Sequence, residues 1–158
     1  MKASLIPGFV VLTALIGSAG ADELKPPPIR DGLWQSRVTQ TQQGKTIFDF
    51  STKICYSKDY SNEMQALGAE ARKKNECTSV VSQPAANTLV EESRCAKGAN
   101  AGSVTKSTYT YQGDTANHME MHIQGGKSDG VMVTDMKYLS SCPAGMKPGD
   151  SINLTQKK

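Results

Sequence analysis

The sequence lacks the usual signatures of catalysis. It has no H-E-x-x-H helix, no Gly-rich phosphate loop and no nucleophile elbow between a strand and a helix. Enzymes built on those devices are excluded, and the expectation is a non-enzymatic chain without a cofactor. No C-x-x-C pair occurs either, so neither a zinc knuckle nor a thioredoxin-like redox centre has its ligands. Charge of one sign is scarce: 18 Lys and Arg face 15 Asp and Glu, the net charge is +3, and the two signs are interspersed. Without a basic stripe, nucleic acid and acidic membrane are not expected partners. Apolar residues make up 37% of the chain, which predicts a lean core but lies above disordered composition. Length is that of one domain.

Only one long apolar run exists, and it opens the chain. Met1-Lys2 is a short positive start, residues 5–16 are almost unbroken apolar sequence, and Ala19-Gly20-Ala21 is the small-x-small pattern that signal peptidase reads. Such an h-region is too short to span a bilayer, and Pro7 and Gly8 suit neither a membrane anchor nor a buried helix. Residues 1–21 are read as a secretory signal cut between Ala21 and Asp22. Ser18 stands where a lipoprotein signal needs cysteine. The expectation is a periplasmic, released monomer with no membrane span.

Four cysteines follow: Cys55, Cys77, Cys95 and Cys142. An even count in an exported chain reads as two disulfides, each worth about 2–4 kcal/mol. Four cysteines permit three pairings. Cys77 and Cys95 lie nine residues either side of Ala86, so a hairpin centred there sets them opposite each other across the ladder. Opposed residues approach disulfide reach. The preferred pairs are therefore Cys77–Cys95 and, by remainder, Cys55–Cys142.

Residues 22–31, with Pro26-Pro27-Pro28, read as an extended leader. Residues 34–42 and 46–54, joined at Gln43-Gly44-Lys45, read as a hairpin with Phe48, Phe50 and Ile54 on one face. Residues 57–74 change period. Tyr60, Met64, Leu67 and Ala71 recur at helical spacing, Ser61 is a candidate cap, Arg72, Lys73 and Lys74 suit the last turn, and Asn75 suits the stop. Strands are predicted at 77–83, 88–95, 104–111, 115–124 and 131–139. Residues 32–142 thus form a single mainly β domain: a curled antiparallel sheet or partial β-barrel of about seven strands, with one helix after the second. Residues 143–158 are expected to be a flexible tail.

The order Gly32-Leu33-Trp34, Cys55 before a helix, Cys77 and Cys95 bounding a hairpin, Met119-x-Met121 and a closing Cys142 resembles the bacterial family catalogued as domain of unknown function 3617. The resemblance spans roughly 29–148, and departs from the family at Asp31, at Tyr56-Ser57 and at Ser141. It implies an exported compartment and a fold, and carries no activity and no catalytic residue.

Candidate binding residues are modest. On a strand, His118, Glu120 and His122 share one face and Met119, Met121 and Ile123 the other. His118 and Glu120 could share a metal, but a solvated polar face is the commoner reason for such a pattern, and no metal is expected. Trp34, Met119, Met121, Met132, Met136 and Tyr138 form a candidate ligand face, since Met-rich surfaces adapt to varied apolar ligands. A lone Trp at a strand start more often packs than binds. The preferred reading is a non-enzymatic binding or accessory module for an apolar ligand or envelope partner. The alternatives are a copper- or zinc-handling protein and an inhibitor of an envelope enzyme acting through the loop 125–130.

Overall fold

The structure is a computed structural model and describes residues 27–98, 101–125 and 129–154. The predicted signal and its cleavage site at Ala21 and Asp22 lie outside the described residues, as do residues 126–128 of the loop 125–130. Eight strands form one antiparallel sheet. They are β1 (Gly32–Gln42), β2 (Lys45–Tyr56), β3 (Cys77–Ala85), β4 (Thr88–Cys95), β5 (Val104–Gln112), β6 (Ala116–Gln124), β7 (Gly130–Ser140) and β8 (Ser151–Asn153). Their order across the sheet is β3-β4-β5-β6-β7-β1-β2-β8. The sheet does not close into a barrel, and β3 and β8 are its edges. Helix α1 (Lys58–Lys74) joins β2 to β3. It therefore starts near one edge and must reach the opposite one. Seventeen residues rise roughly 25 Å, close to the roughly 29 Å that six strand spacings of about 4.8 Å put between β2 and β3.

Partners in the ladder share a face, so the register assigns the two faces without ambiguity. Trp34 pairs with Ile54 on β2 and Tyr138 on β7; Val38 pairs with Phe50 and Thr134. Met119 pairs with Thr134 and Tyr109, and Tyr109 pairs with Leu89. This is the apolar face. His118, Asp135, Arg37 and Lys137 belong to the other, polar one.

The core is small and divided between the faces, since the Leu33–Cys55 pair lies one residue along from the Trp34–Ile54 pair. Among the described residues the buried apolar side chains are Leu33, Trp34, Cys55, Leu89 and Tyr111. Trp34 is fully buried. Its ring meets Tyr138 edge-on at 5.9 Å, and its Nε1–H donates to the Arg30 carbonyl at 2.8 Å. Arg30 is held in turn by a two-pronged ion pair with Asp114 at 3.0 and 3.1 Å and lies over the Tyr138 ring. Gly32, at φ +144°, completes this corner: a Cβ there would strike the Ser140 carbonyl oxygen and the Tyr138 ring. The Gly32-Leu33-Trp34 signature is thus a packing requirement.

Disulfides join Cys55 to Cys142 and Cys77 to Cys95, with Cα atoms 5.5 and 3.9 Å apart. Cys77 and Cys95 are direct ladder partners. The first bridge reshapes the C-terminal segment. Residues 143–158 do not all form a flexible tail. The Cys55 N–H donates to Asp150 O, Gly149 N–H donates to Cys55 O, and β8 pairs with β2 through Ser151, Ile152 and Asn153. The bridge holds the chain beside β2, whose outer N–H and C=O groups need partners. Gly149, Asp150 and the three residues of β8 supply them.

The helix also departs from expectation at its cap. Ser57, not Ser61, is the N-cap: its hydroxyl accepts from the Tyr60 N–H at 3.1 Å. Asn75 ends the helix, its N–H donating to Ala71 O. No side chain of α1 is buried, and Leu67 is 52% exposed. The stripe turned toward the sheet is Ser61, Met64, Gln65, Gly68 and Arg72, offset from the predicted Tyr60–Met64–Leu67–Ala71 line.

Candidate binding cleft between helix and sheet

Since α1 crosses the sheet without burying a side chain, a gap remains beneath it. The gap is a cavity of about 800 Å³, inside the range of small-molecule sites. Its floor is the apolar sheet face: Tyr109 and Tyr111 of β5, Asn117 and Met119 of β6, Thr134 and Met136 of β7. Met64 and Gly68 of α1 form the roof, and Ile29 and Tyr56 close the end near the leader. Alternation puts the floor residues there. Tyr109 and Tyr111 are two apart on β5, and their ladder partners Met119 and Asn117 are two apart on β6. Gly68 deepens the roof, because a side chain there would project into the space that its missing Cβ leaves.

The phenols of the cleft are kept neutral. Burial pushes the Tyr111 hydroxyl up to about 12, with neighbouring Tyr109 adding to the effect. Tyr109 is raised by burial first and then by the charge of Glu91. Tyr56 is raised by burial, then by Tyr60, against whose ring it packs edge-on at 5.2 Å. At neutral pH these side chains offer apolar rings and uncharged hydroxyls, suited to holding a ligand and unsuited to proton abstraction.

Of the predicted ligand face, Met119 and Met136 line the cleft. Trp34 and Tyr138 sit on the same face but form the packed corner beside it. Met121 and Met132 are ladder partners on that face, further along the strands and outside the cleft lining. Tyr109, Tyr111, Met64, Gly68 and Arg72 also line the cleft, outside the expected ligand face. The two tyrosines were detectable from their alternation on a predicted strand; the helix stripe was not.

The histidines lie on the polar face, away from the cleft. His118 Nδ1 shares a hydrogen bond with Asp135 at 2.7 Å, and His122 Nε2 shares one with Glu120. Each imidazole thus has its own carboxylate. Among the described residues no three His, Cys, Asp or Glu side chains come together as a metal site requires. A shallow depression of about 340 Å³ beside His118 is lined by Gln35, Arg37, Asp135 and Lys137 among others. Gly126-Lys127-Ser128-Asp129-Gly130 spells the letters G-x-S-x-G. It connects β6 to β7 and precedes a strand, whereas a nucleophile elbow precedes a helix. Among the described residues no helix is long and apolar enough to cross a membrane.

The family described as Protein of unknown function (DUF3617) matches residues 29–142, and the chain belongs to that family. Neither a curated protein nor a solved structure matches it.

Proposed function

We propose that this member of the DUF3617 family is a non-enzymatic, periplasmic binding module that holds an apolar ligand between α1 and the sheet. The observation that carries the reading is the helix itself. It spans an apolar sheet face, buries none of its own side chains, and leaves about 800 Å³ beneath it. A helix placed for stability alone would be expected to seat its apolar stripe on the sheet, since most helical stability comes from such packing. The signal-like N-terminus and the two disulfides support export, because such bridges persist in oxidising compartments. Met64, Met119 and Met136 give the cleft the unbranched, adaptable lining that accepts ligands of varied shape.

The test uses the disulfide-intact protein and the neutral fluorescent probe N-phenyl-1-naphthylamine. Wild type is expected to bind it with a blue-shifted emission. Gly68→Trp, which fills the roof, is expected to weaken binding at least about tenfold with an unchanged melting midpoint. Equal binding by both proteins, or none by wild type, rejects the cleft as a ligand site. Native mass spectrometry of protein taken from its own cell envelope should show a co-purified small molecule.

A further inference from the structure

The cleft is not electrically uniform, and its charges suggest the class of ligand. Three ionisable charges line it: Asp31 and Lys58 at the leader end, and Arg72 at the far end of α1. Fourteen helical residues place the two cations roughly 21 Å apart along the helix. At the near end the Asp31 carboxylate accepts the Lys58 backbone N–H at 2.9 Å, so a fixed acid shares that end of the lining with the Lys58 side chain. At the far end no carboxylate lines the cleft with Arg72, and among the described residues none forms an ion pair with its guanidinium. Its side chain turns back along the helix, a guanidinium nitrogen lying 3.6 Å from where a Gly68 Cβ would be. The Arg72 fork therefore lies over Gly68 on the cleft-facing stripe. Tyr109 is near enough to feel its charge. Glu91 lies on the same sheet face, opposite Ser107 and beside Tyr109. Lys73 and Lys74 do not line the cleft.

An unpaired guanidinium at one end of a Met- and Tyr-lined slot matches an amphiphile with a planar anionic head. Resting on the cleft reading above, we propose that the ligand is a long-chain fatty carboxylate. Its head pairs with Arg72, and its chain lies along Met64, Met119, Met136 and Tyr111. Arginine suits this head because its fork meets a carboxylate through two parallel N–H bonds.

Competition against the same neutral probe decides the question. Palmitate and 1-hexadecanol share chain length and differ in head-group charge. In wild type, palmitate should displace the probe at least about tenfold better than the alcohol, the scale of one charge-assisted hydrogen bond. Arg72→Gln should remove that preference, Arg72→Lys should keep part of it, and Lys58→Gln should leave it intact. Glu91→Gln should tighten palmitate without changing the alcohol. Equal displacement by palmitate and hexadecanol in wild type overturns the carboxylate assignment while probe binding keeps the cleft reading alive. A preference that survives Arg72→Gln and falls with Lys58→Gln overturns the assignment to Arg72. Failure of the probe to bind at all removes both readings together.

Discussion

The corner where β1, β2 and β7 meet and the half spanned by α1 use one sheet in opposite ways. At the corner, Leu33, Trp34 and Cys55 are buried, Tyr138 and Arg30 cover the indole, and a bridge to Cys142 pulls the chain back to add β8. Under the helix the sheet contributes Tyr109, Tyr111, Met119 and Met136 to a space that no helical side chain fills. Beyond it β3 is an edge strand with Val80 74% exposed. Stability is thus concentrated where the sheet is covered by packed rings and a long-range bridge. The other half is left free to hold something, and the short Cys77–Cys95 bridge staples its outermost hairpin.

Removing the corner's indole is the strongest way to break this contrast. Trp34→Ala should cost about 3–5 kcal/mol, the range for deleting a buried large aromatic, read as a fall in the denaturation midpoint. A loss under 1 kcal/mol would mean the corner does not carry the fold.

The two bridges provide the next comparison. Cys55–Cys142 spans 87 residues and Cys77–Cys95 spans 18. Loop-closure entropy assigns them about 4.5 and about 3 kcal/mol. Double serine variants of each pair, unfolded in urea, should therefore rank in that order. The reverse order would place the structural burden on the hollow half.

A third test sharpens the comparison through pH. Tyr111 is held neutral up to about 12 in the folded chain, against an ordinary value of 10.0. Between those values the unfolded chain releases a proton that the folded chain keeps, so stability is intact below pH 10 and declines as pH rises toward 12. Tyr109 and Tyr56 shift the same way. Tyr111→Phe should flatten this alkaline decline relative to wild type, measured as melting midpoint against pH.

The smallest effect is expected at the exposed edge and roof. Val80→Lys and Leu67→Ala should change stability by no more than about 0.5 kcal/mol, as surface substitutions do. A larger loss at Leu67 would mean that α1 contributes packing which its exposure argues against.

Much of the fold was legible from residue order. Alternation in 46–54 and 104–111, the change to helical period after Ser57, and the symmetric placing of Cys77 and Cys95 about Ala86 are local signals. Each reports a backbone geometry that neighbouring residues enforce. The site was only half legible. Met119 and Met136 were expected on a ligand face because strand alternation sorts faces. Trp34 and Tyr138 were grouped with them because alternation assigns a face but not a position along it. The helix stripe differs from its expected line because Leu67 and Ala71, though apolar, are exposed.

By itself the sequence determined which segments extend, which one coils, and which cysteines could oppose each other, since those properties depend on residues within one or two turns of chain. Only the tertiary structure decided that β1 lies between β7 and β2, that three residues past the last bridge would become an eighth strand, and that α1 would stand off the sheet. Those outcomes depend on which distant backbone edges need partners and on how much space lies between two surfaces, and neither quantity is written in the order of the residues.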